Sequence, residues 1–299
     1  LKSVPLFLFL FFLLPLWPTE GEGNDFGWVA AEPVGRVLMV NAAVNGQSPV
    51  RMILDTGATE TILTWGAAVR LGLVHINAGG VSAPTMLRTI GVGSAMLTNF
   101  SVIFMDPLQA LTLRLDKGVD YQGLIGYTFL RNFITTINYR RNRIRIESYP
   151  VSMDMRLPAR QSAALPGFNI PLQLCDRLLY AQGTVNGQGP ITFLIDTGSA
   201  EVLLLPRVAE KLRLSNIQSG NEPNVRWTRL NSVALGNAVL SNVTTVIYEL
   251  NRDNSQSPPY DGILGQPFLS RFLVTIDYRG KRLGLKPFDY SVFQENMAE

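Results

Sequence analysis

The sequence predicts a mostly-β chain built from two copies of one unit, and three observations predict it. Short β-branched and aliphatic runs separated by Gly, Asn and Pro recur along most of its length. Helical patterning is confined to brief segments, one or two in each half. A set of motifs occurs twice, at a spacing that drifts only between 139 and 143 residues.

In chain order, residues 37–44 and 50–54 read as strands joined by Asn45-Gly46, a strong hairpin signal. Residues 65–71 read as a short helix, 95–104 as a strand, 127–133 as a brief helix and 135–146 as a last hairpin. The second half repeats this order, with a helix over 206–212 that has Pro in its first turn, a strand over 238–248, a brief helix over 267–272 and a hairpin over 275–285. Between the halves, Pro150, Pro158 and Pro166 interrupt a stretch without periodicity, read as a linker or crossover strand. The expected division is therefore a unit over 26–149, a linker over 150–168 and a unit over 169–299.

The repeat can be followed residue by residue. Asn45-Gly46-Gln47, Pro49 and Met52-Ile53-Leu54-Asp55 answer to Asn186-Gly187-Gln188, Pro190 and Phe193-Leu194-Ile195-Asp196. Gly123-Leu124-Ile125-Gly126 answers to Gly262-Ile263-Leu264-Gly265, Phe129-Leu130 to Phe268-Leu269, and Asn138-Tyr139-Arg140 to Asp277-Tyr278-Arg279. Inside this frame Asp55-Thr56-Gly57 recurs as Asp196-Thr197-Gly198. Two carboxylates thus occupy equivalent positions in two copies of one structural unit.

Composition narrows the chemistry. With 299 residues, 46% of them apolar and 16% charged, the chain can fill two cores and is not a disordered protein. The net charge of +3 comes without a long Lys/Arg run or aromatic-basic alternation, which argues against a nucleic-acid surface. Arg140, Arg141, Arg143 and Arg145 alternate with Ile144 and Ile146, the pattern of a solvated strand face or turn; an anionic partner such as a lipid surface is the other reading. Residues 1–25 read as an export signal, because Lys2 precedes an apolar stretch over 4–17 that is shorter than a spanning helix and carries Pro5 and Pro15. A periplasmic or secreted location follows as an expectation, with retention as an N-terminal membrane anchor the alternative. Cys175 stands alone and cannot form an intrachain disulfide. His75, the one histidine, lies in an apolar context and reads as a satisfied or surface residue. A Ser-His-Asp or Cys-His site would depend on it, and a His-rich metal site has no ligands. Carboxylate chemistry without metal or cofactor remains.

On these motifs the chain resembles the retropepsin-like branch of the aspartic peptidases, over most of residues 36–285. It looks like a fused, exported bacterial form that carries both halves in one polypeptide. The resemblance implies two pseudo-symmetric closed β-barrel-like units with the active site between them. It implies that Asp55 and Asp196 are catalytic, and that Leu124-Ile125-Gly126 and Ile263-Leu264-Gly265 pass beside the catalytic loops in a psi-shaped crossing. Two carboxylates about 3 Å apart repel by roughly 5 kcal/mol at an effective dielectric near 20, enough to separate their macroscopic pKa values by about 4 units. One proton is then shared, a pattern familiar from aspartic dyads. The ionised partner activates a water, and neither a covalent intermediate nor a metal is needed.

The flanking residues have supporting roles in the same picture. Gly57 and Gly198 allow close approach of main-chain N–H groups, and Thr56 and Thr197 can hydrogen-bond across the pseudo-twofold axis. Ser199 is expected to donate its hydroxyl to the adjacent carboxylate, which Ala58 cannot do. Glu60 and Glu201 are equivalent and read as turn or strand-end charges. Residues 77–90 and 219–228, the latter with Trp227, are candidate hairpins over the cleft. The expected partner is an extended peptide or unfolded protein segment, bound without a second chain; a catalytically silent peptide-binding or envelope-assembly protein is the alternative.

Overall fold

The computed structural model describes residues 27–75, 80–105, 120–149, 165–220, 224–249 and 259–288. The expected export signal, most of the linker and the N-terminal part of the first candidate cleft hairpin lie outside the described residues.

Each hairpin signal closes where the sequence puts it. Asn45 and Gly46 have φ of 51° and 72°, and Asn186 and Gly187 have 50° and 74°, the left-handed pair that matches a two-residue turn to strand twist. The strands on either side, Val37–Val44 with Val50–Leu54 and Leu178–Val185 with Gln188–Ile195, begin the two barrels.

In the first barrel Val50–Leu54 runs parallel to Gly123–Ile125, which pairs in turn with Ile62–Leu63. Ala95–Phe104 and Thr85–Val92 follow, and the latter returns to the first strand through Ala43↔Gly91 and Val44↔Ile90, closing six strands. The second barrel repeats the circuit through Gly262–Leu264, Val202–Leu204, Ala238–Ile247 and Arg226–Leu235, and closes through Thr184↔Ala234 and Val185↔Val233. Val50, Met52 and Leu54 point into the interior cluster while Ile53 joins a smaller cluster with Val37, Met39, Ile62 and Leu124 on the other face, as the two-residue period of a strand requires.

The four α-helices among the described residues are short: Trp65–Arg70, Tyr127–Leu130, Pro206–Lys211 and Gln266–Leu269. Phe129 and Phe268, equivalent residues on the second and fourth, are fully buried. The hydroxyl of Thr64 caps the first helix by accepting the Ala67 N–H at 3.1 Å.

A third sheet belongs to neither barrel. Its strand order is Trp28–Ala30, Arg143–Ser148, Phe133–Asn138, Phe272–Asp277, Arg282–Pro287 and Phe168–Pro171. The last hairpin of each unit therefore joins a sheet common to both, and the linker region ends in an edge strand of it. Thr136 pairs with its own equivalent, Thr275, and their hydroxyl oxygens are 3.2 Å apart, so the pseudo-twofold axis passes between them. Ile137, Val274, Ile144, Leu283 and Leu285 fully bury their side chains on one face of this sheet, in the core that the barrels share.

The cleft-hairpin expectation needs revision in the first unit. Thr85–Val92, most of the described part of that segment, is barrel wall, because Leu87, Ile90 and Val92 fill the interior. In the second unit Gln218–Ser219 does pair with Arg226 and Trp227, and the Trp227 ring stays 37% exposed.

Candidate active site

Both Asp-Thr-Gly triplets sit where a barrel strand ends beside a parallel neighbour. The Asp55 N–H donates to the Ile125 carbonyl at 3.0 Å, and the Asp196 N–H donates to that of Leu264 at 3.1 Å. Beyond the triplets the chain passes under the neighbouring strand. The Ala58 carbonyl accepts the Tyr127 N–H and the Ser199 carbonyl accepts the Gln266 N–H, both at 2.9 Å. Gly126 and Gly265 form the crossing, where a Cβ would run into the carbonyl oxygens of Glu60 and Glu201 respectively. Leu124, Ile125, Ile263 and Leu264 are buried at the same crossing in both units.

The loops are bound to each other by a reciprocal set of bonds. The Thr56 N–H donates to the Thr197 hydroxyl at 3.0 Å and the Thr197 N–H donates to the Thr56 hydroxyl at 3.0 Å. Each hydroxyl then donates onward at 2.8 Å, Thr56 to the Ile195 carbonyl and Thr197 to the Leu54 carbonyl. All four bonds are buried and cross between units. A buried network with every member paired is rigid, because rotating either threonine would strand donors in a low-dielectric interior.

The network holds Asp55 and Asp196 face to face. The Gly57 N–H donates to Asp55 Oδ1 and the Gly198 N–H to Asp196 Oδ1, each at 2.8 Å, and the two carboxyl groups hydrogen-bond to one another. Asp55 is buried, and Asp196 is the more open of the two. Burial lifts both carboxyls above the ordinary carboxylate range. Repulsion from Asp196 lifts Asp55 further, to well above that range, and the N–H groups of the loops only partly offset this. Burial and mutual repulsion therefore favour a single proton shared by the pair.

Ser199 departs from its expected role. Its hydroxyl donates to the Glu201 carbonyl at 3.1 Å and accepts the Glu201 N–H at 3.3 Å. The two-residue return bond is the local preference of a serine in a turn, and it leaves the carboxylate without that hydroxyl. Ala58 has none to offer.

Glu60 and Glu201 are more than turn charges. Glu60 ion-pairs with Arg177 and Glu201 with Arg36, the latter at 3.0 Å. Arg36 and Arg177 are themselves equivalent at the same 141-residue offset as the aspartates. Each unit thus sends an arginine across the seam to the glutamate that follows the other unit's loop. Neither arginine stands out in the sequence by itself; extending the repeat backward from Asn45 along that offset pairs them.

Among the described residues no cluster of three or more His, Cys, Asp or Glu could hold a metal ion.

Comparison with known proteins gives the family. A family model described as Aspartyl protease matches residues 40–129 and again 181–268. Among solved structures, a retropepsin-like aspartic protease from Rickettsia conorii is similar over 40% of this chain and 88% of its own, at 23% identity and a TM-score of 0.31. Basic 7S globulin from soybean is similar over 87% of this chain and 94% of its own, at 11% identity and a TM-score of 0.47. No curated protein matches. With the family model covering more than half of the chain in two passes, each spanning one Asp-Thr-Gly loop, this protein belongs to the aspartyl protease family and carries two retropepsin-like units in one polypeptide.

Proposed function

We propose that the chain is an aspartic endopeptidase whose catalytic dyad is Asp55 and Asp196. One observation supports this most: two mutually hydrogen-bonded carboxyls, one from each unit, at the head of a fully paired buried network. A water between the carboxyls gives a proton to ionised Asp196 while its oxygen attacks the peptide carbonyl. Asp55 supplies its proton to the developing oxyanion. As the tetrahedral intermediate collapses, the C–N bond breaks, the nitrogen takes a proton from Asp196 and one hydroxyl of the diol returns its proton to Asp55, leaving a free carboxyl and amine and the starting dyad. Thr56, Thr197, Gly57 and Gly198 keep the carboxyls in place through each transfer and touch no substrate atom.

The substrate is an extended peptide or unfolded protein segment, held by β-type main-chain contacts. Both aspartates come from one chain, so no second copy is needed. The apolar stretch over 4–17 supports a periplasmic or secreted location.

The test is incubation with an unbiased peptide mixture from pH 3 to 8. Internal cleavage, inhibited competitively by a peptide with a hydroxyl isostere at the cut bond, supports the proposal. A folded chain that cuts nothing in this range is instead a peptide-binding protein on the same fold.

A further inference from the structure

A cavity of about 350 Å³ opens at the seam between the units. Tyr127, Arg131 and Asn132 line it from the first unit, and Tyr278, Arg279 and Lys281 from the second. Three of these six are cations, and among the described residues none of the three has a carboxylate partner.

The contacts they do make leave their donors available. The Arg131 guanidinium lies over the Tyr127 ring at 5.6 Å and that of Arg279 over the Tyr149 ring at 4.2 Å. Stacking occupies the face of a guanidinium and leaves its N–H edge for an acceptor. The nearest buried carboxylate in sequence, Asp277, is already occupied by Arg282, the Gly280 N–H and the Tyr149 hydroxyl, so it does not neutralise the cavity.

Tyr278 adds an independent mark of a missing ligand. It is 3% exposed, its ring meets Tyr127 edge-on at 5.5 Å, and among the described residues its hydroxyl has no hydrogen-bond partner. A buried hydroxyl left unpaired is costly and in native structures points to a group that completes it. Burial, reinforced by the charges of Asp55 and Asp196, holds the phenol well above its usual range, so it remains a donor at any ordinary pH.

We propose that this cavity is an anion site that takes a phosphate group, bound by Arg131, Arg279, Lys281 and the Tyr278 hydroxyl and bridging the two units. Three cations around one cavity suit a multiply charged group with several acceptor oxygens, and each charge-assisted bond is among the stronger kinds available. Free phosphate and the headgroup of an anionic phospholipid both present this chemistry. The cavity's occupancy is measured without any assay of cleavage.

Titration calorimetry of inorganic phosphate into the full chain at low ionic strength reads the first source. Sedimentation with vesicles of phosphatidylglycerol and phosphatidylcholine, against pure phosphatidylcholine, reads the second. The double variant Arg131→Gln, Lys281→Gln weakens binding by at least about tenfold, and Tyr278→Phe, which keeps the packing, by about two- to tenfold. Arg229→Gln, an exposed charge on the second barrel, leaves binding unchanged. One phosphate per chain with these effects supports a free-ion site; binding to anionic vesicles alone, with the same effects, supports the headgroup. The proposal fails if neither probe binds, or if binding survives both cavity changes while the variants keep the parent's circular dichroism.

Discussion

Gly57 is packed against the carboxyl of Asp196: a Cβ on Gly57 would stand 2.5 Å from Asp196 Oδ2, and one on Gly198 would stand 2.6 Å from Asp55 Oδ1. Each loop therefore tolerates no side chain because the other unit's aspartate already fills the space. Gly57→Ala or Gly198→Ala must push the opposite carboxylate away. A misplacement of about 1 Å costs on the order of 100-fold in rate, so kcat/KM for peptide cleavage falls by at least that factor while the secondary structure is retained.

The threonines give a stability prediction. Thr56→Val or Thr197→Val removes a hydroxyl that accepts one cross-unit bond and donates another, leaving buried groups unpaired at a cost of about 1–3 kcal/mol. Thr→Ser at either site retains both bonds and costs less than about 1 kcal/mol. Urea unfolding of the four variants checks the difference. Because the two residues form one network, the double Val variant loses less than the sum of the singles.

Arg36–Glu201 crosses the same seam yet contributes little. The side chains are 56% and 35% exposed, and solvent screens such a pair to roughly 0–1 kcal/mol. Glu201→Gln accordingly shifts the urea midpoint much less than Thr56→Val does, and a double-mutant cycle with Arg36→Gln gives a coupling below about 1 kcal/mol.

Stability and activity oppose each other at the dyad. Between the ordinary Asp value of 3.8 and the raised folded value of Asp55, the native state holds more protons than the unfolded chain. Stability therefore falls as pH rises through that window. Asp55→Asn removes the Asp55 share of this dependence and leaves that of Asp196, so the variant has a higher Tm than the parent at pH 7 and a shallower profile from pH 4 upward, while losing cleavage. Thermal melts across that range read both effects.

The Ser199 hydroxyl, turned to the Glu201 main chain, gives a prediction for the pH range of the proposed cleavage. Without that donor, and with Ala58 in the other loop, neither carboxylate receives a hydroxyl bond that would draw its pKa down. Cleavage extends to mildly acidic or neutral pH; a kcat/KM profile with its maximum only below about pH 3 is the opposite outcome.

These residues also show what a single sequence carries. The loops and the barrel hairpins were legible because local chemistry dictates them, through a left-handed Asn-Gly pair and a triplet after an apolar strand, whereas the psi crossing came only with the family resemblance. The shared sheet was not, since the alternation of Ile144 and Ile146 reports that residues 143–148 form a strand and says nothing of which neighbour the hairpin adopts. Within the candidate hairpin of 77–90, residues 85–90 differ because Gly79 and Gly80 suggested a loop, while the inward pattern of Leu87, Ile90 and Val92 decided the strand. Ser199 had two acceptors within reach, and only the folded turn selects between them.

The most direct test of the account is the rate of cleavage of one peptide by the parent, by Asp55→Asn, by Asp196→Asn and by an equimolar mixture of the two variants. If both carboxylates of a single chain form the dyad, each variant and the mixture are inactive, with kcat lowered by at least about 1,000-fold, and all three remain folded. Substantial activity in either variant alone, or its return on mixing, would contradict a dyad assembled within one chain.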